Sequence, residues 1–341
     1  MKRLTQAGLL AITTLLTPLA AQAADVTLAL SSWLPPRHPI VVNAIKPWAK
    51  DVEQVTEGRV SIRVLGKPLG SPPAHFDMAR DGVADITYGL HSFTQDDRFK
   101  GSLLGQFSFI GDDAVTSSKA FWTVYTEDLN AREEHEGTHL LGLFTHGPGL
   151  LHNNKHRLET PADVEGLKIR VPSSYVGTLV DDLGGTSLFM SSTEVYEKLS
   201  RGVIDGVAFT YEALTAFNLA DDVKYSMTVP GGVYNTTWFL VVNEDQWNSI
   251  SPEDRAAIDA ISGLAFAERV GQAWNDADAA AREELADSDI EFYPAPEPVL
   301  TALQASARRQ EETWAESLPE DEDGLAALTR LRAMTGVTVP Q

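Results

Sequence analysis

The chain has 341 residues, 43% of them hydrophobic, enough for one large or two medium globular domains. Its 48 acidic against 27 basic residues leave a net charge of −21, which argues against nucleic acid or an anionic membrane as partner. It has no cysteine, which excludes disulfides, thiolate catalysis and Cys-based metal sites.

The first element is a basic start, Met1-Lys2-Arg3, followed by an apolar run from Ala7 to Ala20 and the small-residue site Ala21-Gln22-Ala23. This is the pattern of a secretory signal peptide cut after Ala23. Loss of its two cations takes the charge from −21 to −23, and with no cysteine to carry a lipid, the periplasm is the expected compartment. No later apolar run is long enough to span a bilayer.

Val26–Ser32 alternates and predicts a strand; the loop "WLPPRHP" follows, then a helix over 40–56 with Ile40, Ala44, Ile45, Trp48, Val52 and Val55 on one side. A strand is expected at Val60–Leu65, a helix at Ala74–Arg80 and a strand at Ala84–Gly89. Glu134–Leu140, "EHEGTHL", contains H-E-x-x-H, a zinc-protease signature that requires both histidines on one helical face. Gly137 sits where a helix end wants a left-handed residue, and "THLLGLF" after it reads as a strand, so His135 and His139 are expected on different elements. Glu159, a conceivable third ligand, precedes the helix start Thr160-Pro161.

The second half repeats the grammar. "LKIRVP" (Leu167–Pro172) is a strand; Ser191 and Glu194 suggest a capping box; "RDGVADI" (80–86) and "SRGVIDG" (200–206) place Gly, Val and Asp alike before a strand. This predicts two lobes of similar α/β construction. From Ser251-Pro252 a long helix is expected to about Asp287, roughly 54 Å, long enough to bridge both lobes, with Gly263 or Gly271 as kink points. An acidic loop, Leu318–Gly324, leads to a last helix, "AALTRLRAMTG".

Several stretches together resemble the periplasmic solute-binding subunits of TRAP transporters, the family named for dicarboxylate uptake. They are "GLKIRVPSS" with "LGGTSLFMSSTEVYEKLSRGVIDG" (166–206), "EGRVSIRVL…LGSPPAHFDMARDGVADI" and "NEDQWNSISPEDRAAI". The resemblance runs over nearly all of the chain after the signal. It implies an α/β, two-lobed periplasmic binding protein fold with crossing strands and a long bridging helix. On that scheme lobe I is 24–146 plus about 236–272 and lobe II about 147–235 plus 273–341, with the helix 252–287 spanning both. It further implies capture of a small solute and delivery to a permease of a small and a large membrane subunit, driven by an ion gradient.

The resemblance makes Arg170 the residue that pairs with a ligand carboxylate, a task a planar guanidinium suits through two parallel N–H bonds. Strand alternation alone puts it opposite Leu167, Ile169 and Val171 and favours a solvent-facing arginine. Other positions depart from the family: Leu150, Leu90 and Phe209 stand where polar residues are usual, and Phe189 where proline is usual. Trp33, Tyr88, His91, Phe189, Phe209, Tyr211 and Trp238 are candidate cleft residues; core packing is the alternative for each aromatic. Aromatic faces bind cationic amines, and Glu212 could neutralise one. Asn235 is a candidate donor. The expected ligand is therefore a small carboxylate, amino acid or amino alcohol such as ethanolamine, rather than a sugar acid.

No G-x-S-x-G elbow, P-loop or dinucleotide fingerprint is present, so binding without turnover, with no cofactor and no metal, is the expected activity. The alternatives are a zinc hydrolase through HEGTH, or a ligand-sensing subunit of a signalling system.

Overall fold

The computed structural model describes residues 26–94 and 97–337; the expected signal peptide over 1–23 lies outside the described residues. The strands, in chain order, are β1 (Val26–Ser31), β2 (Val60–Val64), β3 (Ile86–Leu90), β4 (Thr138–Thr145), β5 (Leu150–Asn153), β6 (Lys168–Val171), β7 (Thr186–Phe189), β8 (Gly206–Phe209), β9 (Tyr225–Thr228), β10 (Thr237–Asn243) and β11 (Glu291–Pro294). They form two sheets, ordered β2-β1-β3-β10-β4 and β11-β9-β5-β8-β6-β7.

Within each sheet the parallel neighbours need long crossovers, and helices supply them. β1 pairs in parallel with β2 and β3, with the helices Lys46–Val55 and His75–Arg80 between them in sequence. The helix expected over 40–56 begins as a wide turn, Val41–Ile45, before Lys46–Val55, which buries Trp48, Ala49 and Val52. In the second lobe β6 lies between β8 and β7, parallel to both. A parallel strand covered on both faces can be apolar throughout. Ile169, Arg170 and Val171 are accordingly all buried, so the face opposite the core is covered too and does not meet solvent.

The chain passes between lobes from β4 to β5 and back from β9 to β10. These two crossings run side by side: Gly149 N–H donates to Tyr234 O and Val233 N–H to Gly149 O, both at 2.9 Å. A third connection is helical. The single helix expected over 252–287 is instead Pro252–Ala260 and Leu264–Leu285, broken at Gly263, whose φ of +57° suits a residue without Cβ. Trp48 Nε1 donates to Ser262 Oγ at 3.2 Å and anchors the break. Leu264–Leu285 then packs on β4 and the helix Ala114–Asp128 in the first lobe and on the helix Tyr211–Ala216 in the second.

One local expectation changes. Ser191 accepts from Thr193 N–H rather than forming a capping box with Glu194; the box forms instead at Thr160 and Asp163. The C-terminal helices return across the molecule. Glu297–Ser317 packs on Ser174–Asp182, and Gly324–Thr335 packs on Ala114–Asp128.

Candidate functional site

A cavity lies between the lobes, lined by side chains from both. The first lobe and the bridging helix give it an aromatic wall. Trp33, just after β1, stacks on Trp238 of β10 with ring centres 5.6 Å apart and planes 2° from parallel, and Trp274 packs against Trp238 at 5.9 Å. The indole N–H groups of Trp33 and Trp238 are spent within the protein, on Tyr88 O at 3.2 Å and Thr236 Oγ1 at 3.1 Å. What these two rings offer the cavity is therefore apolar surface.

The second lobe supplies the charge. Arg170 is 1% exposed, with its guanidinium carbon 4.2 Å above the Phe209 ring. Nε donates to Met190 O at 3.1 Å and Nη1 to Ala208 O at 3.0 Å, two neutral acceptors. Among the described residues, no carboxylate lies within ion-pair distance and Nη2 makes no hydrogen bond. Burial lowers its pKa from 12.5 to about 10, partly opposed by Tyr234 and Glu194, so the group stays a cation at neutral pH without a counter-ion. Ser192, whose buried hydroxyl has no partner, lines the same cavity.

Glu212, His38 and His146 also line the cavity, and Asp278 holds the Glu212 backbone from behind it. Glu212, 2% exposed, accepts from Thr210 Oγ1 at 3.4 Å through Oε2, and its N–H donates to Asp278 Oδ1 at 2.9 Å. Asp278 is pushed up to about 7, chiefly by burial and further by the Glu212 carboxylate. His38, from the first lobe, accepts from Ile40 N–H at Nδ1 (3.3 Å), so its proton sits on Nε2, 2.9 Å from Glu212 Oε1. That separation is an ion-pair distance, but the ring N–H is not aimed at the oxygen, and Oε1 has no hydrogen bond. His146 gives its Nδ1 proton to Gly147 O, and burial lowers its pKa to about 4.

Of the residues singled out from sequence, Trp33, Arg170, Phe209, Glu212 and Trp238 meet around this cavity. The other five do not reach it. Tyr88 lies within the first sheet and spends its hydroxyl on Ser32 Oγ at 2.6 Å. His91 pairs with His135, Nε2 to Nε2 at 3.0 Å, and burial holds its pKa well below the usual value. His91 and Phe189 instead line a second, wider opening of about 910 Å³. Tyr211 precedes Glu212 by one helical position, so the two side chains diverge by about 100°; it is held outside by Arg282, 4.1 Å above its ring, and by Phe292. Asn235 uses its amide on the crossing strands: Nδ2 donates to His146 O (2.9 Å) and Oδ1 accepts from His146 N–H (3.1 Å). His38, Trp274, Thr210 and Ser192 line the cavity and were not singled out. The loop "WLPPRHP" carried His38 in plain view, but nothing local ties it to a glutamate 174 positions on.

Two contacts of protein with protein bridge the lobes at the mouth of the cleft. Ser92 Oγ, after β3, donates to Pro172 O, after β6, at 2.9 Å, and Phe93 meets the half-exposed Phe189 edge-on at 6.0 Å.

The HEGTH histidines part company. Gly137 takes φ +84° after the short helix Ala131–Glu134, and β4 begins at Thr138. His135 is buried against His91, while His139 stacks on Trp247 at 4.0 Å and bonds to Asp259 Oδ1 at 2.8 Å. Glu159 pairs with Arg157 at the surface. Among the described residues no group of three His, Asp or Glu side chains is placed to hold a metal ion.

Two α/β lobes joined by crossing strands around a lined interior cavity define a solute-binding protein of the two-lobed kind. The family described as bacterial extracellular solute-binding protein, family 7 (DctP) matches residues 30–317, and the chain belongs to it. A TRAP periplasmic solute-binding protein from Bordetella bronchiseptica, solved with (R)- and (S)-mandelate, is 35% identical with a TM-score of 0.87, over 91% of this chain and 98% of that one. A marine metagenome TRAP solute-binding protein specific for aromatic acid ligands, in complex with metahydroxyphenylacetate, is 27% identical with a TM-score of 0.83, over 91% and 98%. One from Rhodoferax ferrireducens T118 with copurified benzoate is 27% identical with a TM-score of 0.82, over 91% and 97%.

Proposed function

We propose that this chain captures a small aromatic carboxylate in the periplasm and passes it to the small and large membrane subunits of a TRAP-type permease, without turnover. The observation that carries the reading is Arg170: a fully buried cation, without a counter-ion, at the edge of an aromatic-walled cavity. A buried charge costs several kcal/mol unless it is paired. A ligand carboxylate supplies the pair, with Nη2 and the Ser192 hydroxyl as its donors. Trp33 and Trp238 present apolar ring surface to a planar ligand ring, and offset or edge-on aromatic contacts contribute beyond simple burial.

Three relatives with bound mandelate, metahydroxyphenylacetate and benzoate support the same ligand class. An ethanolamine-like amine fits poorly, because it would leave Arg170 unpaired and add a second cation beside it. A sugar acid would set its hydroxyls against indole faces.

Thermal melting with a solute panel tests this. Ligand that binds only the folded state at a hundred times its Kd adds about 2.7 kcal/mol. Benzoate, phenylacetate and mandelate should raise the midpoint. A rise with ethanolamine, succinate or glucuronate and none with the aromatic acids would overturn the assignment.

A further inference from the structure

Resting on the aromatic-carboxylate reading, we infer that the solute also carries a hydroxyl, and that Glu212 and Trp274 are the residues that read it. Both line the cavity and both are buried with one polar atom unpartnered. The two atoms are of opposite kind. Trp274 Nε1–H can only donate; Glu212 Oε1, a carboxylate oxygen, accepts. His38 Nε2–H, 2.9 Å from that oxygen but turned off its line, is a second donor beside it. The His38 ring meets the Trp274 ring edge-on at 5.8 Å, so the three groups form one cluster.

A hydroxyl is the small group that gives one hydrogen bond and receives another. It would donate to Glu212 Oε1 and accept from Trp274 or His38. An ammonium, which has no lone pair, would satisfy the glutamate and face two N–H groups. An unsubstituted ring edge would satisfy neither and leave a buried acceptor and donor orphaned. Sites built to hydrogen-bond a ligand hydroxyl discriminate strongly against the analogue that lacks it.

The carboxylate end and the hydroxyl end are held by different residues. Arg170 and Ser192 hold the first; Glu212, on the helix Tyr211–Ala216, and Trp274, on Leu264–Leu285, hold the second. The ligand is thereby oriented as well as bound.

Titration calorimetry on the mature protein decides the matter. Benzoate and phenylacetate are compared with their 2-, 3- and 4-hydroxy isomers, and phenylacetate with mandelate. At least one hydroxylated acid should bind ten- to a hundred-fold tighter than its parent. In Trp274→Phe, which deletes the N–H and keeps a ring, and in Glu212→Leu, that ratio should fall toward one. The wild-type comparison needs no variant, so a misfolded variant does not shield the inference. Parent and hydroxylated acids binding within threefold of each other would overturn it while leaving the aromatic-carboxylate reading intact. A ratio that survives both substitutions would overturn the roles of Glu212 and Trp274. Binding by none of these acids would overturn both readings together.

Discussion

Replacing Arg170 with methionine separates what that residue costs the fold from what it does for a ligand. Burial holds the guanidinium at about 10 instead of 12.5, which at neutral pH amounts to about 3 kcal/mol against folding. The sign is that of a cation whose folded-state pKa is depressed: the cost is present wherever the group is charged. Methionine removes that cost but strips Met190 O and Ala208 O of their N–H partners, at about 1–3 kcal/mol for each buried acceptor left unmade. The two effects nearly cancel, and the ligand-free melting midpoint should move by only a few degrees. Binding has no such compensation. Truncating one member of a buried, hydrogen-bonded charge pair costs about 2–5 kcal/mol, or about 30- to 5,000-fold in Kd. Calorimetric titration with benzoate, alongside melts of both proteins, measures the two quantities. Arg170→Lys, which keeps the charge but not the fork, should fall between. Benzoate affinity within threefold of wild type in the methionine variant would refute the reasoning. So would a collapse of the ligand-free midpoint by more than 10 °C, because Arg170 would then be a structural residue.

Two further outcomes follow from particular residues. Asp278 is held at about 7 in the fold against 3.8 as an ordinary carboxyl, so the native state retains its proton where the unfolded chain has lost it. Its contribution to stability is full below about pH 4 and is lost as pH rises to about 7. Asp278→Asn, which keeps an acceptor for Glu212 N–H, should gain on wild type through that window and hold a constant advantage above it; a gap that is flat from pH 4 to 8 would contradict the assignment. Gly263→Ala forces a Cβ into a backbone at φ +57° and to within 2.8 Å of the Trp122 ring. It should destabilise by about 1–3 kcal/mol in denaturant titration, and an unchanged midpoint would show that the break between helices tolerates a side chain.

Much of this architecture was legible because it is local. The strands β1, β2, β3 and β6 and the helix caps at Ser251 and Gly137 follow from period, capping chemistry and glycine placement within a few residues. The helix Ala114–Asp128 announces itself poorly: it packs on β4, Leu264–Leu285 and Gly324–Thr335, so even Ser117 and Ser118 are buried and the apolar stripe blurs. The break at 261–263 looked like one possible kink among two, because a periodic pattern continues across it. At the site, Arg170 was legible through resemblance, against an alternation argument that pointed to solvent. What periodicity could not convey is that β6 is covered on both faces. The aromatics divided according to which helical or strand face they occupy: Tyr211 and Glu212 are neighbours in sequence and strangers in space. His38 and Trp274 acquire their meaning only when a loop of one lobe and the bridging helix meet the helix Tyr211–Ala216 of the other.

The mouth of the cleft has a kinetic consequence. Ser92–Pro172 and Phe93–Phe189 are contacts of lobe with lobe, and neither involves the solute. For a solute whose way out runs between them, loosening its own bonds is not enough; the two lobes must first swing apart. Residence time then has a floor set by the protein's opening rate, shared by tight and weak solutes alike. A downstream acceptor that pries those two contacts open would empty the cleft on its own schedule.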